Sequence, residues 1–250
     1  MGEETERTDP GGLSVKVTGA TLVYRDRVLF QDLGFELAGG GWTCLLGTSG
    51  VGKTSLVRLI AGLMPGGARI VAGDGGPLAG RLAYMAQQDL LLPWLGVLDN
   101  VLLGARLRRE PTGAEAVGRA RALLEHVGLG DHLAALPAAL SGGMRQRAAL
   151  VRTLIEDRPV VLMDEPFSAV DAITRLRLQD LAAELLRGRT VLLVTHDPLE
   201  ALRLGHRVHV MAGQPATIGP AIKPPGSPPR PVTAPPLLEL QAELLRRLTA

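Results

Sequence analysis

Apolar residues recur along this chain in two periods, and the order in which those periods alternate predicts its class. Leu13 to Val17 and Thr21 to Tyr24 alternate like half-exposed strands, Val28 to Phe30 continues them, and Gly34 to Leu37 reads as another, together predicting a small antiparallel layer. Trp42 to Leu46 is a buried strand that leads into a glycine-rich loop and the helical pattern Ser55 to Leu63, stopped by Gly62-Leu63-Met64-Pro65-Gly66-Gly67. Ala68 to Ala72 and Arg81 to Ala86 predict two strands around a glycine-rich turn. From Leu98 to about Ala139 only helical periods occur, broken at Glu110-Pro111 and Gly128-Leu129-Gly130, which predicts an inserted helical subdomain. Ser141 is placed to N-cap a long helix. Pro159 to Met163 and Thr190 to Thr195 are buried-strand runs joined by a helical pattern from about Val170 to Arg187, and Arg207 to Met211 is the last strand candidate. Strand, helix, strand implies a parallel sheet with a right-handed crossover, whose ligands sit at the carboxyl ends of the strands. Gly47, Asp164 and His196 fall at such ends.

The predicted organisation is a loose, disordered tail over 1–12 and an α/β domain over 13–218. The helical subdomain is inserted at about 88–155, and a Pro-rich linker with a short amphipathic helix, Leu237 to Leu248, fills 219–250. A chain of 250 residues can bury a sizeable core. Its formal charge of +2, from 27 basic and 25 acidic residues, exerts no general pull on nucleic acid, which is excluded as a partner. The single cysteine, Cys44, lies inside the Trp42 to Leu46 strand, reads as a small hydrophobe, and suits a reducing compartment. The first residues lack the basic-then-apolar order of a signal peptide, and no apolar stretch approaches the ~18 residues of a spanning helix, so a membrane role has to come through a partner chain.

The candidate chemistry centres on Gly47-Thr48-Ser49-Gly50-Val51-Gly52-Lys53-Thr54, a G-x-x-x-x-G-K-[ST] loop between a strand and a helix. Its glycines let successive N–H groups and the helix start at Thr54 and Ser55 face a polyphosphate. Lys53 then reaches the β- and γ-phosphates, and the Thr54 hydroxyl ligates Mg²⁺. Asp164-Glu165 ends an apolar strand: Asp164 can hold Mg²⁺ through its water shell, and Glu165 can orient or deprotonate an attacking water. His196, after the next strand, is a candidate γ-phosphate partner, although a lone histidine is more often structural. Tyr24, beside Arg25 at a strand end, is either a surface aromatic or a ring that stacks on a nucleotide base; the residues leave both open.

Leu140-Ser141-Gly142-Gly143-Met144-Arg145-Gln146-Arg147 resembles the signature of ATP-binding-cassette ATPases. Around it, Gly47 to Thr54 resembles that family's Walker A, Gln87 its Q-loop, Val160 to Glu165 its Walker B, Ser168-Ala169-Val170-Asp171 its D-loop and His196 its switch histidine. Tyr24 is similar to its adenine-stacking aromatic. The likeness spans about residues 13 to 215 and departs from the common pattern at Met144 and Val170. It implies a P-loop NTPase core of the RecA-like kind with an antiparallel β layer. ATP and Mg²⁺ are the implied cofactors, Lys53, Gln87, Glu165 and His196 the catalytic set, and Thr54, Gln87 and Asp164 the metal set. It further implies a homodimer in which ATP lies between Lys53 of one cassette and Ser141, Gly142 and Gly143 of the other, where a helix N-terminus presents N–H groups and positive potential.

Gln87-Gln88-Asp89-Leu90-Leu91-Leu92-Pro93-Trp94, followed by Val97-Leu98-Asp99-Asn100-Val101, resembles cassettes of bacterial importers for nitrate, sulfonates and taurine, and for the hydroxymethylpyrimidine precursor of thiamine. Met85-Ala86-Gln87-Gln88 and the Leu-rich final helix look closest to the pyrimidine-precursor group. Such importers combine two permease subunits, two cassettes at the cytoplasmic face of the inner membrane and a separate solute-binding protein. Leu91, Leu92 and Trp94 are the expected permease-facing residues, unless Trp94 packs inside the helical subdomain. A P-loop kinase would lack the Ser141-Gly142-Gly143 helix start. Cassette ATPases of translation or repair carry paired cassettes or coiled-coil insertions that this chain lacks. An exporter cassette remains the alternative within the family.

Overall fold

The structure, a computed structural model, describes residues 12–249. The tail expected over residues 1–12 lies outside this range except for Gly12. The chain divides into two compact units: one comprises the residues up to Leu82, Pro159–Leu162 and Leu186 onward, the other Ala83–Arg158 and Met163–Leu185.

The first unit opens with β1 (Val15–Tyr24) and β2 (Arg27–Leu37), paired antiparallel from Val15 opposite Leu37 to Tyr24 opposite Arg27. Four short strands were predicted here; two long ones form. The register shifts between Val17 and Ala20 and again before Leu22 and Val23, with Gly19 at φ 65° and Asp32 at φ 50°. Each bulge moves the alternation by a residue, so a single strand reads as separate segments. The next strand in the chain, β3 (Trp42–Leu46), is buried throughout. It runs through the phosphate loop into α1 (Lys53–Ile60), which ends where the glycine-rich stop was predicted.

The two strands predicted around a glycine-rich turn belong to different sheets. β4 (Gly67–Ala72) pairs with β1, Val15 opposite Ala72, and completes a three-stranded sheet of order β2-β1-β4. β5 (Leu82–Met85) is instead the edge of a six-stranded sheet.

The second unit is built on helices. α2 (Val97–Val101), α3 (Leu103–Leu107) and α4 (Ala114–His126) are followed by 3₁₀ turns at Gly130–His132 and Pro137–Ala139, then by α5 (Gly142–Leu154). Val97, Val101, Ala120, Leu124, Leu129, Ala148 and Leu150 are buried and form its core. β6 (Val160–Asp164) then enters the large sheet, and α6 (Ala172–Leu185) returns to this unit. β7 (Thr190–Thr195), α7 (Pro198–Leu204), β8 (Arg207–Gly213), β9 (Ala216–Ile218) and α8 (Pro235–Thr249) complete the first unit.

The six-stranded order is β5-β6-β7-β3-β8-β9. β3 is parallel to both neighbours, with Cys44 opposite Leu193 and Val208. β3, β6 and β7 are buried at every position, as parallel strands covered on both faces must be. Cys44 is fully buried, and desolvation, then the carboxylate of Glu200, push its thiol pKa far above the usual thiol range, so it packs as a neutral hydrophobe.

The Pro-rich stretch after Ile218 forms no helix before α8, and it is anchored. Ile222 bridges Val208, and Arg230, 4 % exposed, donates to the carbonyls of Leu202, Gly205, Pro224 and Pro225, all at 2.8 Å. Two of those carbonyls lie at the C-terminal end of α7, where a cation is favoured. No helix among the described residues is long and apolar enough to cross a membrane.

Candidate nucleotide site

The first unit carries the phosphate loop. Gly47 is held so tightly that a Cβ there would lie 2.6 Å from the Met211 carbonyl oxygen, while Gly50 and Gly52 adopt φ of 80° and 112°, a region that side chains disfavour. Gly52 is also the N-cap of α1 and supplies no side-chain cap, so the first N–H groups of the helix keep their potential for an anion. Lys53 is 5 % exposed and its Nζ donates to the carbonyls of Gly47 (2.7 Å) and Thr48 (2.9 Å). The ammonium is thereby folded over the loop that its own backbone forms. Thr48, Ser49 and Gly50 are exposed, and Val51, Gly52, Thr54 and Ser55 half-buried, so the loop surface is accessible while its base is fixed.

His196 follows β7 and is exposed. Its turn is set by Asp197, whose N–H donates to Thr195 Oγ1 (3.0 Å) and whose carboxylate caps α7 by accepting from Leu199 N (2.9 Å) and Glu200 N (3.4 Å). Tyr24 ends β1 with 54 % of its surface exposed, and the Arg25 guanidinium lies 5.4 Å from its ring centroid.

The second unit carries the acidic pair and the signature helix. Asp164, 1 % exposed, closes β6, and Glu165 follows with φ 50°. Left-handed backbone at a residue with a side chain costs of order 1 kcal/mol and redirects that side chain from the strand's alternation. Ser168 N and Oγ both donate to the Glu165 carbonyl (3.3 and 3.0 Å), and Gln146 Nε2, from inside α5, donates to Pro166 O (3.0 Å). This fixed turn aims Glu165 at Gln87, whose Nε2 donates to Glu165 Oε2 at 3.3 Å.

At the start of α5, Ser141 Oγ accepts from Met144 N at 3.2 Å, the capping contact the sequence predicts. Met144 contributes a backbone N–H, so its departure from the common signature leaves this contact untouched. A Cβ at Gly143 would stand 3.3 Å from Ala169 O, and Gly142 is exposed beside it. Val170, the other departure, is buried. Asp171 accepts from Ile173 N (3.1 Å) and Thr174 N (3.0 Å), and the Thr174 bonds hold its carboxyl below the ordinary range.

The segment after Gln87 differs from expectation. Leu91 is buried at 8 % exposure, so it lines no surface; Leu90, at φ 47°, takes the exposed place with 58 %. A left-handed residue shifts which side chains face outward, which apolar spacing alone does not reveal. Trp94 is 70 % exposed, which excludes packing inside the helical subdomain.

Three anchors of this segment are not legible in the sequence reading. Asn100, fully buried in α2, accepts from Leu92 N (2.7 Å) through Oδ1, and its Nδ2 lies against the carbonyls of Leu92, Leu95 and Gly96. From α5, Arg152 donates to the carbonyls of Asp89 (2.5 Å) and Leu90 (2.9 Å), and Arg145 Nε to Asp89 Oδ2 (3.0 Å). A polar residue at an apolar position of a helical pattern was the available signal for Asn100.

A family model described as "ABC transporter" matches residues 30–168. An ABC transporter ATP-binding protein of Haemophilus influenzae is 42% identical over 239 residues, 94% of this chain and 98% of its own length. An aliphatic sulfonates import ATP-binding protein of Xanthomonas axonopodis is 44% identical over 212 residues, 83% of each chain. Among solved structures, an ATP-binding cassette captured as a dimer in a post-hydrolysis state with ADP and Pi superposes with a TM-score of 0.75 at 26% identity, covering 85% of this chain and all of that one. The relative named here for a solute is named for sulfonates, not for the pyrimidine precursor suggested by Met85 to Gln88 and the final helix. With the α/β P-loop architecture and the phosphate loop and signature helix in place, this chain belongs to the ABC transporter family as an ATP-binding cassette ATPase.

Proposed function

We propose that the chain is the ATP-hydrolysing subunit of a bacterial importer for a small solute of the sulfonate class, working as a pair of cassettes beneath two membrane-embedded permease subunits at the cytoplasmic face. A separate solute-binding protein completes the importer. The sulfonate class rests on the name of the relative, and the permease partnership rests on Trp94. A tryptophan 70 % exposed beside Leu90, on a segment fixed by Asn100, Arg145 and Arg152, is a rigid apolar surface with the character of a protein docking site.

The same segment begins at Gln87, which touches Glu165. A permease that moves the segment therefore moves the hydrogen-bond partner of the group assigned as water activator, and the Arg145 and Arg152 bonds carry the movement to the signature helix as well. Transport and hydrolysis become coupled through side chains on one body.

In the catalytic assignment, the loop N–H groups, Lys53, Thr54 and Ser55 bind phosphates, Glu165 accepts the proton of the attacking water, His196 contacts the γ-phosphate, and Tyr24 stacks on adenine. Ser141, Gly142 and Gly143 bind the γ-phosphate of ATP held by the opposite cassette. Thr54 on the first unit, and Gln87 and Asp164 on the second, each carry an oxygen donor of the kind Mg²⁺ takes, and with the Gln87 amide nitrogen turned to Glu165 its oxygen is left for such a role. A bound Mg²⁺ would neutralise charge developing on the phosphates. Co-purification with the permease and reconstitution into proteoliposomes tests the reading. Alkanesulfonate uptake that needs ATP and the binding protein is the expected result; ATPase activity without stable permease association would overturn it.

A further inference from the structure

We propose that Arg25 is a positioning residue for nucleotide binding: its guanidinium backs one face of the Tyr24 ring and holds that ring so that adenine stacks on the other. The inference rests on Tyr24 as the adenine-stacking ring. Tyr24 and Arg27 are partners in the register of β1 with β2, so Arg25 and Asp26 alone turn the hairpin. Both have positive φ, 48° and 63°, as a two-residue turn of type I′ requires of its central residues. Asparagine, aspartate and glycine fill such positions readily, whereas an arginine there is strained. Strain of this kind persists at ligand clamps, where the side chain it aims is put to use.

The guanidinium passes over a nearer partner. Asp26 is the next residue in the turn, yet among the described residues Arg25 forms no ion pair, and its Cζ lies over the Tyr24 ring, 5.4 Å from the centroid. That is within the distance at which an aromatic face attracts a cation. Tyr24 nevertheless keeps 54 % of its surface exposed, which leaves room for a base. A ring already held by the guanidinium loses less rotamer freedom when the base arrives. The end of the hairpin also adjoins the phosphate loop: Arg27, Val28 and Leu29 line one cleft with Gly50, Val51 and Gly213, all in the first unit. A nucleotide whose phosphates occupy the loop can therefore carry its base to Tyr24.

Titration calorimetry of the full chain with ADP, and with inorganic pyrophosphate as the probe that has no base, reads the effect apart from hydrolysis and from ATP-driven pairing. Arg25→Ala should weaken ADP binding about two- to fivefold and leave pyrophosphate binding unchanged. Arg25→Lys should recover part of the loss, since an ammonium keeps the charge without the planar fork. Tyr24→Ala should weaken ADP binding roughly fivefold or more, and adding Arg25→Ala to it should cost nothing further, because Arg25 acts through the ring. Arg25→Gly relieves the left-handed backbone, so it should match Arg25→Ala in binding without lowering the midpoint of chemical unfolding, which separates positioning from folding. Equal losses for ADP and pyrophosphate would make Arg25 a general attractor of phosphate and overturn the proposal. So would ADP binding that tightens or holds in Arg25→Ala, or additive losses in the double variant. A loss in Tyr24→Ala without one in Arg25→Ala removes this proposal alone; ADP binding unchanged in Tyr24→Ala removes the stacking assignment and the proposal with it.

Discussion

Gln87 and Glu165 stand 78 residues apart in sequence and share a hydrogen bond, Nε2 to Oε2, at 3.3 Å. Gln87 begins the segment that exposes Trp94, and Glu165 follows the last residue of β6, so the proposed docking surface and the carboxylate proposed to activate water belong to one compact unit. Gln87→Ala should leave ATP affinity within about twofold while uncoupling hydrolysis from the permease. The readout is the ratio of permease-stimulated to basal ATPase, which should fall towards one.

Lys53 is buried, and its ammonium already faces the loop carbonyls at 2.7 and 2.9 Å. Lys53→Ala removes the cation proposed to meet the β- and γ-phosphates and should lower turnover at least about a hundredfold, with weaker nucleotide binding. Phosphate release, measured with contaminant controls, checks it; wild-type turnover would remove the loop from the mechanism.

Trp94 and Leu91 should separate binding from stability. Trp94→Ala should change unfolding free energy by no more than about 0.5 kcal/mol yet cost permease assembly, because the ring is exposed. Leu91→Ala should cost about 2 to 3 kcal/mol, because that side chain is in the core. Denaturant titration beside permease pull-down distinguishes them. Equal destabilisation by both would place Trp94 in the fold rather than on the docking surface.

The exchange between Leu90 and Leu91 marks how far the sequence is legible. β3, β6 and β7 are continuous apolar runs, and Ser141 precedes its helix, so strand ends, helix starts and the motifs on them could be read directly. Backbone at positive φ defeats that reading: bulges at Gly19 and Asp32 divide β1 and β2 into apparent fragments, and Leu90 inverts the facing of its neighbours. Long-range polar ties are equally hidden. Arg230 sits in a Pro-rich stretch whose composition suggests an extended linker, and its partners at Leu202 and Gly205 are more than 20 residues away.

Arg230→Ala should therefore destabilise by about 3 kcal/mol, by leaving buried carbonyl acceptors of Leu202, Gly205 and Pro224 without their charged donor. Arg230→Lys should recover only part, since an ammonium cannot span the same fork. Proteolytic nicking between residues 219 and 236 should appear in the Ala variant and not in the wild type.

Glu110 accepts from Arg108 and Arg158, which hold its carboxyl at about 2 instead of 4.5. A depressed carboxylate stabilises the fold above its unfolded pKa, and that contribution disappears as pH falls through the folded value. Glu110→Gln should thus be less stable than wild type at pH 7, with the gap closing between about pH 5 and pH 2. Chemical unfolding along that series checks the sign; a gap that widened on acidification would contradict it.

In the proposed cycle ATP closes two cassettes on each other and Glu165 then drives hydrolysis, which reopens them. Glu165→Gln keeps size and the Gln87 contact while removing the carboxylate proposed as the base. Light scattering of this variant should give a dimer in ATP that persists for many wild-type turnovers and a lower mass in ADP, while the wild type pairs only transiently. A variant that shows no ATP-dependent gain in mass at high protein concentration, or that hydrolyses ATP at the wild-type rate, would contradict the account.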